Sequence, residues 1–345
     1  MARNAKDERR SKEEDKKRTE RKKNERAPLA CFVRAEAFER SGAQRFTVRT
    51  LPADRCTHII YSYLETDNNT GEFMFRKRGQ RGDMEILEDI GKLKRDSRST
   101  NVKVLFSYGG GAHVQSLLNR IRDDKKANEL VERIKSLLSK AKIDGINFHL
   151  EGPGPQVCKD DEIMTILKFF KTLRTAVSSG VIITAQLPAC RKEEKCNLFM
   201  SEKMSRSLDY LFLITFDYRL DDLTKAKITS GLYNYSDNNG IIKIQTESCV
   251  GNWINAGVPK YKIVPGIATH GRSFTLNDPA YNGDSAGLNQ KHPLGNAAEI
   301  TNTEGYMNYV ETCRRAGYMG WKRVWTSYAA TPYITHKDQW VSYDD

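Results

Sequence analysis

No stretch of this 345-residue chain reaches the run of about 18 apolar residues that a membrane span requires. Its start also lacks the apolar core and small-residue cleavage site of a secretion signal, so taken literally the chain is not secreted. Apolar side chains are almost missing from residues 1–26, which hold 12 Lys/Arg against 7 Asp/Glu, a net of +5. Such a segment cannot bury enough surface to offset its ordering entropy, and it reads as a disordered or solvated charged leader whose deletion leaves the fold intact. Removing it leaves +7 of the chain's +12, a mildly basic remainder. A basic tail can meet nucleic acid or an anionic membrane, but the interleaved acids weaken its field, and no nucleic-acid partner is expected. No cofactor and no metal are assigned. The length suits one large domain with a small extra module.

What the chain does have is alternation. Apolar, strand-like runs near 29–34, 57–63, 102–107, 143–150, 181–187, 210–216 and 262–268 are separated by amphipathic stretches. Helices are predicted from Met84 to Lys94, Ala127 to Ala141, Asp160 to Val177 and Ile242 to Ala256. This order predicts an α/β fold, a parallel (β/α)8 barrel with crossover helices over 27–270. After Gly271 the alternation stops: Gly, Pro, Asn and aromatics are scattered without a long helical period, and 271–345 reads as a small α+β insertion module. Seven strands are counted where a closed barrel of this class has eight, so truncation before the eighth strand is expected, with further sequence after Asp345.

The most informative stretch is Ile143 to Pro153, IDGINFHLEGP. With period two, Ile146, Phe148 and Leu150 fall on one face and Asn147, His149 and Glu151 on the other. Polar groups at the C-terminal end of an apolar barrel strand mark an active site, whereas the same pattern on an edge strand is a solvated face. Here the sequence resembles glycoside hydrolase family 18, the chitinases and chitinase-like lectins. That family's fourth strand reads DGxDxDxE, matched at Asp144, Gly145 and Glu151, with Asn147 and His149 replacing the two middle aspartates. Further blocks agree in order: Cys56 to Tyr61 with the second strand, Val102 to Gly110 with the third and its Ser-x-Gly-Gly turn, Ile214 to Asp217 with the sixth-strand Met-x-Tyr-Asp, and Lys262 to Leu276 with the seventh strand and its Gly-Arg turn. The likeness runs from about residue 29 to 345.

The resemblance implies substrate-assisted hydrolysis of β-1,4-linked N-acetylglucosamine, in which the substrate's own acetamido oxygen is the nucleophile. Glu151 would be the acid; its bland alternative is an ordinary ion pair. A carboxylate should accept the acetamido N–H, and His149 stands there instead. A neutral imidazole accepts one hydrogen bond without negative charge, while an imidazolium favours the ionised form of Glu151, the wrong state for an acid. A satisfied core histidine is an equal reading of His149. Asn147 keeps a hydrogen-bonding shape without charge, and Phe216 replaces a tyrosine that would hold the acetamido oxygen. The cleft is thinned too: Gly111 stands where a Trp is frequent, and His270 replaces the Tyr of Tyr-Gly-Arg. Tyr63, Gly110, Asp217, Tyr218 and Arg272 remain as candidate substrate contacts.

Seven cysteines argue against the literal reading of the N-terminus. The family likeness and the adjacency of the first two strands imply a Cys31–Cys56 disulfide. Cys190 and Cys196 flank a charged loop and are positioned to close it; Cys158, Cys249 and Cys313 have no evident partner. The alternative is that several are buried thiols. An extracellular or secretory-pathway protein is expected, as a monomer. Three functions stay open: a chitinase-like binder of N-acetylglucosamine oligomers with hydrolysis absent or much reduced, an active endochitinase with an altered site, and an interaction scaffold with a vestigial cleft.

Overall fold

In the computed structural model the described residues are 28–345, apart from 68, 96–100, 112, 152–159, 191–201, 219, 221, 238, 239, 243 and 319. The charged leader therefore lies outside the described residues. Seven strands follow one another in the main sheet: β1 (Ala30–Arg34), β2 (His58–Thr66), β3 (Lys103–Gly109), β4 (Gly145–His149), β5 (Ile182–Pro188), β6 (Tyr210–Ile214) and β7 (Ile263–Pro265). They are ordered in the sheet as in the chain, and a short strand, Phe73–Met74, pairs antiparallel with β2. Pairing from β1 through β4 is parallel. Helices α1 (Asp83–Lys92), α2 (His113–Arg122), α3 (Asp124–Ala141), α4 (Asp160–Ala176) and α5 (Thr246–Asn255) lie in the β2–β3, β3–β4, β4–β5 and β6–β7 crossovers, two of them between β3 and β4. This is the strand-and-helix order of a (β/α)8 TIM-type fold. All seven strands lie where the apolar runs predict them.

The helix reading needs correction at three places. Ile242, the first residue of the helix expected from Ile242 to Ala256, is strand paired with Tyr235, and α5 begins only at Thr246. The stretch α2 carries Val114, Leu117, Leu118 and Ile121 buried at helical spacing, a pattern obscured because Arg120 is buried among them and donates to Thr70 O at 2.5 Å. Beyond Gly271, a helix that the scattered composition does not suggest, α6, spans Tyr309–Tyr318.

By its internal packing the chain divides into two compact units: 1–185 with 203–211 and 259–264, and 186–202 with 212–258 and 265–345. In the first, β4 is buried on both faces, as parallel strands under crossover helices are. Gly145 opens it because a Cβ there would sit 2.0 Å from Ile182 O. Asp144, the first motif aspartate, acts at the opposite end of the strand from Glu151: its Oδ2 accepts from Val104 N at 2.8 Å and pairs with Lys94 Nζ at 3.1 Å. Asp123 caps α3 by accepting from Lys126 N, and Lys142 ends it in the left-handed region at φ 53°.

The second unit contains a five-stranded antiparallel sheet of β8 (His270–Thr275), β9 (Tyr306–Asn308), β10 (Lys322–Thr326), β11 (Thr331–His336) and β12 (Gln339–Ser342), in the order β9-β8-β12-β11-β10. Phe274, Leu276, Tyr333 and Trp340 are central to its core, with Tyr333 and Trp340 stacked at 4.7 Å. His270-Gly271-Arg272, read from sequence as a turn, is strand: it pairs with β9, and Arg272 also faces Ser342 of β12. A Cβ on Gly271 would meet Val341 Cγ1 at 2.6 Å, so the glycine serves close strand packing.

Cys31 and Cys56 form a disulfide, their Cα atoms 6.0 Å apart. The Cys190–Cys196 expectation is corrected: Cys190 pairs with Cys249 of α5, 59 residues away. Cys158 and Cys196 lie outside the described residues, and Cys313 is exposed and not in a disulfide. Closing a loop of 25 residues contributes about 3 kcal/mol by constraining the unfolded chain. Non-reducing peptide mapping is expected to recover Cys31 with Cys56 and Cys190 with Cys249 as two cross-linked fragments; a Cys190–Cys196 fragment would contradict the structure.

Candidate functional site

The polar row of β4 lies in the first unit and is three residues long, each in a different environment. Asn147 is fully buried and bridges its neighbours: Nδ2 donates to Ser107 Oγ of β3 at 2.9 Å, and Thr184 Oγ1 of β5 donates to its Oδ1 at 2.9 Å. Its donor and acceptor are both engaged, so the amide clamps three adjacent strands. His149 comes next, with its side chain 17% exposed and Nε2 3.5 Å from Glu151 Oε2, too far for a strong hydrogen bond. Neither ring nitrogen has a hydrogen-bond partner among the described residues. Glu151 ends the row with its side chain 44% exposed.

The imidazole sits against glycine. Gly109, Gly110 and Gly111 all have positive φ, at 96°, 84° and 54°. Their amides follow the end of β4: Gly110 N donates to His149 O and Gly111 N to Glu151 O, both at 2.8 Å. A Cβ on Gly110 would lie 2.5 Å from His149 Nδ1, so the ring takes the space a side chain would need. Tyr63, in the second half of β2, meets His149 edge-on with centroids 6.5 Å apart and His113 of α2 likewise at 6.0 Å. Burial is the main cause that pushes the Tyr63 hydroxyl above its ordinary range. The sequence reading places Tyr63, Gly110 and the row of Asn147, His149 and Glu151 on three separate stretches; the structure brings Tyr63 and Gly110 against His149 of that row. It misses His113, which no motif marks.

A second cluster lies within the second unit and is built on Asp217, whose φ is 60°. Arg272 grips it in a fork, Nε to Oδ1 at 2.8 Å and Nη2 to Oδ2 at 2.6 Å, and His270 Nε2 lies 3.0 Å from Oδ1. Burial pushes this carboxyl up, but the Arg272 and His270 contacts outweigh it and hold the pKa at about 2. Tyr306 stacks on His270 at 4.7 Å and lies 5.2 Å beneath the Arg272 guanidinium. Phe216 turns an edge to His270 at 5.5 Å. A Cβ on Gly266 would meet the Phe216 ring at 3.0 Å. Tyr218 is 5% exposed, and burial pushes its hydroxyl up. Tyr306 escapes the sequence reading because only the pairing of Arg272 with Tyr306 across β8 and β9 brings it there.

Among the described residues no group of three or more His, Cys, Asp or Glu is arranged to hold a metal ion. None of their helices is long and apolar enough to cross a membrane.

A parallel (β/α)8-type sheet with a glutamate two residues past its fourth strand, and a five-stranded antiparallel sheet later in the chain, define a class, and the family comparison gives it a name. The model of glycosyl hydrolases family 18 matches residues 29–345, and the chain belongs to that family. It is 26% identical over 330 residues to an endochitinase of Manduca sexta, covering 93% of this chain and 59% of that protein. It is 26% identical over 328 residues to human chitinase-3-like protein 2, covering 92% of this chain and 80% of that protein. Among solved structures, catalytic domain 2 of the Group II chitinase of Ostrinia furnacalis, in complex with penta-N-acetylchitooctaose, superposes with a TM-score of 0.80 at 25% identity, covering 93% of this chain and 84% of that one.

Proposed function

We propose that this protein is a chitinase-like glycan binder that recognises β-1,4-linked N-acetylglucosamine oligomers with hydrolysis absent or much reduced. The observation that carries the reading is the composition of the β4 row: Glu151 is its sole carboxylate, and the group beside it is the His149 imidazole at 3.5 Å. Substrate-assisted hydrolysis asks for a second negative charge, to turn the acetamido group and to stabilise the cation that develops on it. An imidazole brings no negative charge, and Asn147 is fixed as a neutral clamp between Ser107 and Thr184. In the second unit Phe216 brings no hydroxyl. The chitinases and the chitinase-like protein among its relatives support a chitin-type ligand; we assign Tyr63 in the first unit, and Asp217, Tyr218 and Arg272 in the second, as candidate sugar contacts. Two disulfides support an extracellular or secretory-pathway location.

Isothermal titration with chitooligosaccharides and turnover of a fluorogenic chitobioside, run on one preparation, test this. Binding with negligible turnover is expected. A second reading, an endochitinase with an altered site, is favoured by the retained, half-exposed Glu151; it requires ordinary turnover that Glu151→Gln abolishes. Absence of any chitooligosaccharide binding would leave only a scaffold role.

A further inference from the structure

We propose that Asn234 is a site of N-linked glycosylation; this rests on the secretory location argued above. Asn234-Tyr235-Ser236 has the acceptor form Asn-x-Ser, with tyrosine at the middle position and Asp237 after it, so no proline blocks the triplet. A triplet alone is a weak signal, and its placement decides the matter. Asn234 is exposed. The two residues before it are exposed as well, Leu232 at 40% and Tyr233 at 46%.

The backbone around the triplet is held on both sides. Leu232 N donates to Ala329 O at 2.8 Å, and Glu247 N donates to Leu232 O at 2.9 Å. Immediately after Asn234, Tyr235 enters a two-stranded antiparallel pairing with Ile242. The acceptor amide therefore stands on a tethered surface turn, where a bulky polar substituent needs no rearrangement of the core. All of these residues belong to the second unit.

The transfer balances with one co-reactant, an oligosaccharide carried on a polyprenyl diphosphate. The side-chain amide nitrogen of Asn234 forms a bond to C1 of the first sugar, and the C1–O bond to the diphosphate breaks. The polyprenyl diphosphate leaves with the bonding electron pair, and the amide nitrogen gives up one proton. A second triplet, Asn68-Asn69-Thr70, begins outside the described residues and is not part of the proposal.

The test directs the full chain into the secretory pathway of a eukaryotic host with a cleavable signal, then maps peptides before and after an amidase that releases N-glycans. The expected result is a glycopeptide spanning Asn234 that the amidase converts to a peptide carrying the mass of aspartate at that position. Asn234→Gln and Ser236→Ala should each lose the modification, while Ser236→Thr retains it; Ser236→Ala leaves the acceptor in place and guards against a folding artefact. A secreted chain with Cys31 linked to Cys56 but Asn234 unmodified overturns the proposal and leaves the secretory reading standing. A chain retained in the cell with both cysteines free overturns the secretory reading and the proposal together.

Discussion

Chitobioside turnover rises by about 10²-fold when Asn147→Asp and His149→Asp are combined, because a single missing transition-state partner in a preorganised site costs about 10²–10³ in rate. The structure makes the double change sterically acceptable. An aspartate at 147 can accept from Ser107 and Thr184, which are already within 2.9 Å, with the Ser107 hydroxyl turned to donate. An aspartate at 149 is smaller than the imidazole and fits the space that the ring takes beside Gly110. His149→Asp alone is expected to restore less, since Asn147 would leave the new carboxylate without its acidic neighbour. Adding Phe216→Tyr, in the second unit, tests separately whether the missing hydroxyl limits turnover, and its gain need not multiply with the others. Turnover that stays flat in all three variants, with chitooligosaccharide binding intact, would show that the replaced residues are not what limits hydrolysis.

The order of the seven main strands was readable because each is a short apolar run bounded by polar or glycine residues, and burial in a parallel sheet demands such runs. The β4 row was readable for the same reason, since strand periodicity alone separates Asn147, His149 and Glu151 from Ile146 and Phe148. What the sequence hid depends on distance along the chain. Asp144 belongs to the matched motif, yet it ties down the start of β3, a role set by a contact 40 residues away. Cys190 had a neighbour at Cys196 that made a local loop attractive, while its partner Cys249 is reached only when α5 packs. Tyr306 carries no motif and enters the Asp217 cluster through strand register. The Gly109–Gly111 run was visible as a turn, but the tight packing of Gly110 on the His149 ring shows only in three dimensions.

Arg272→Ala is expected to cost about 3–5 kcal/mol at neutral pH, the usual penalty for leaving a largely buried carboxylate without its cation. Asp217 is the residue that suffers. Arg272 supplies two of its short hydrogen bonds, and His270 remains as a single partner at 3.0 Å. The pH dependence separates this cause from lost packing of the Arg272 side chain over Tyr306. The Asp217 pKa of about 2 lies below the ordinary 3.8, so the folded state favours the ionised form. That preference contributes about 2 kcal/mol above pH 4 and is lost as pH falls through the folded value near 2. Urea unfolding from pH 6 down to pH 2.5 should therefore show the gap between wild type and Arg272→Ala narrowing with acidification, because protonation removes the uncompensated charge. Arg272→Lys keeps a cation but loses the planar fork and should fall between the two. Asp217→Asn should cost stability at pH 6 and little at pH 2.5, and should largely abolish the further effect of Arg272→Ala. A loss in Arg272→Ala that is the same at every pH, or that persists undiminished in the Asp217→Asn background, would assign the role of Arg272 to its packing on Tyr306 and not to the charge it balances.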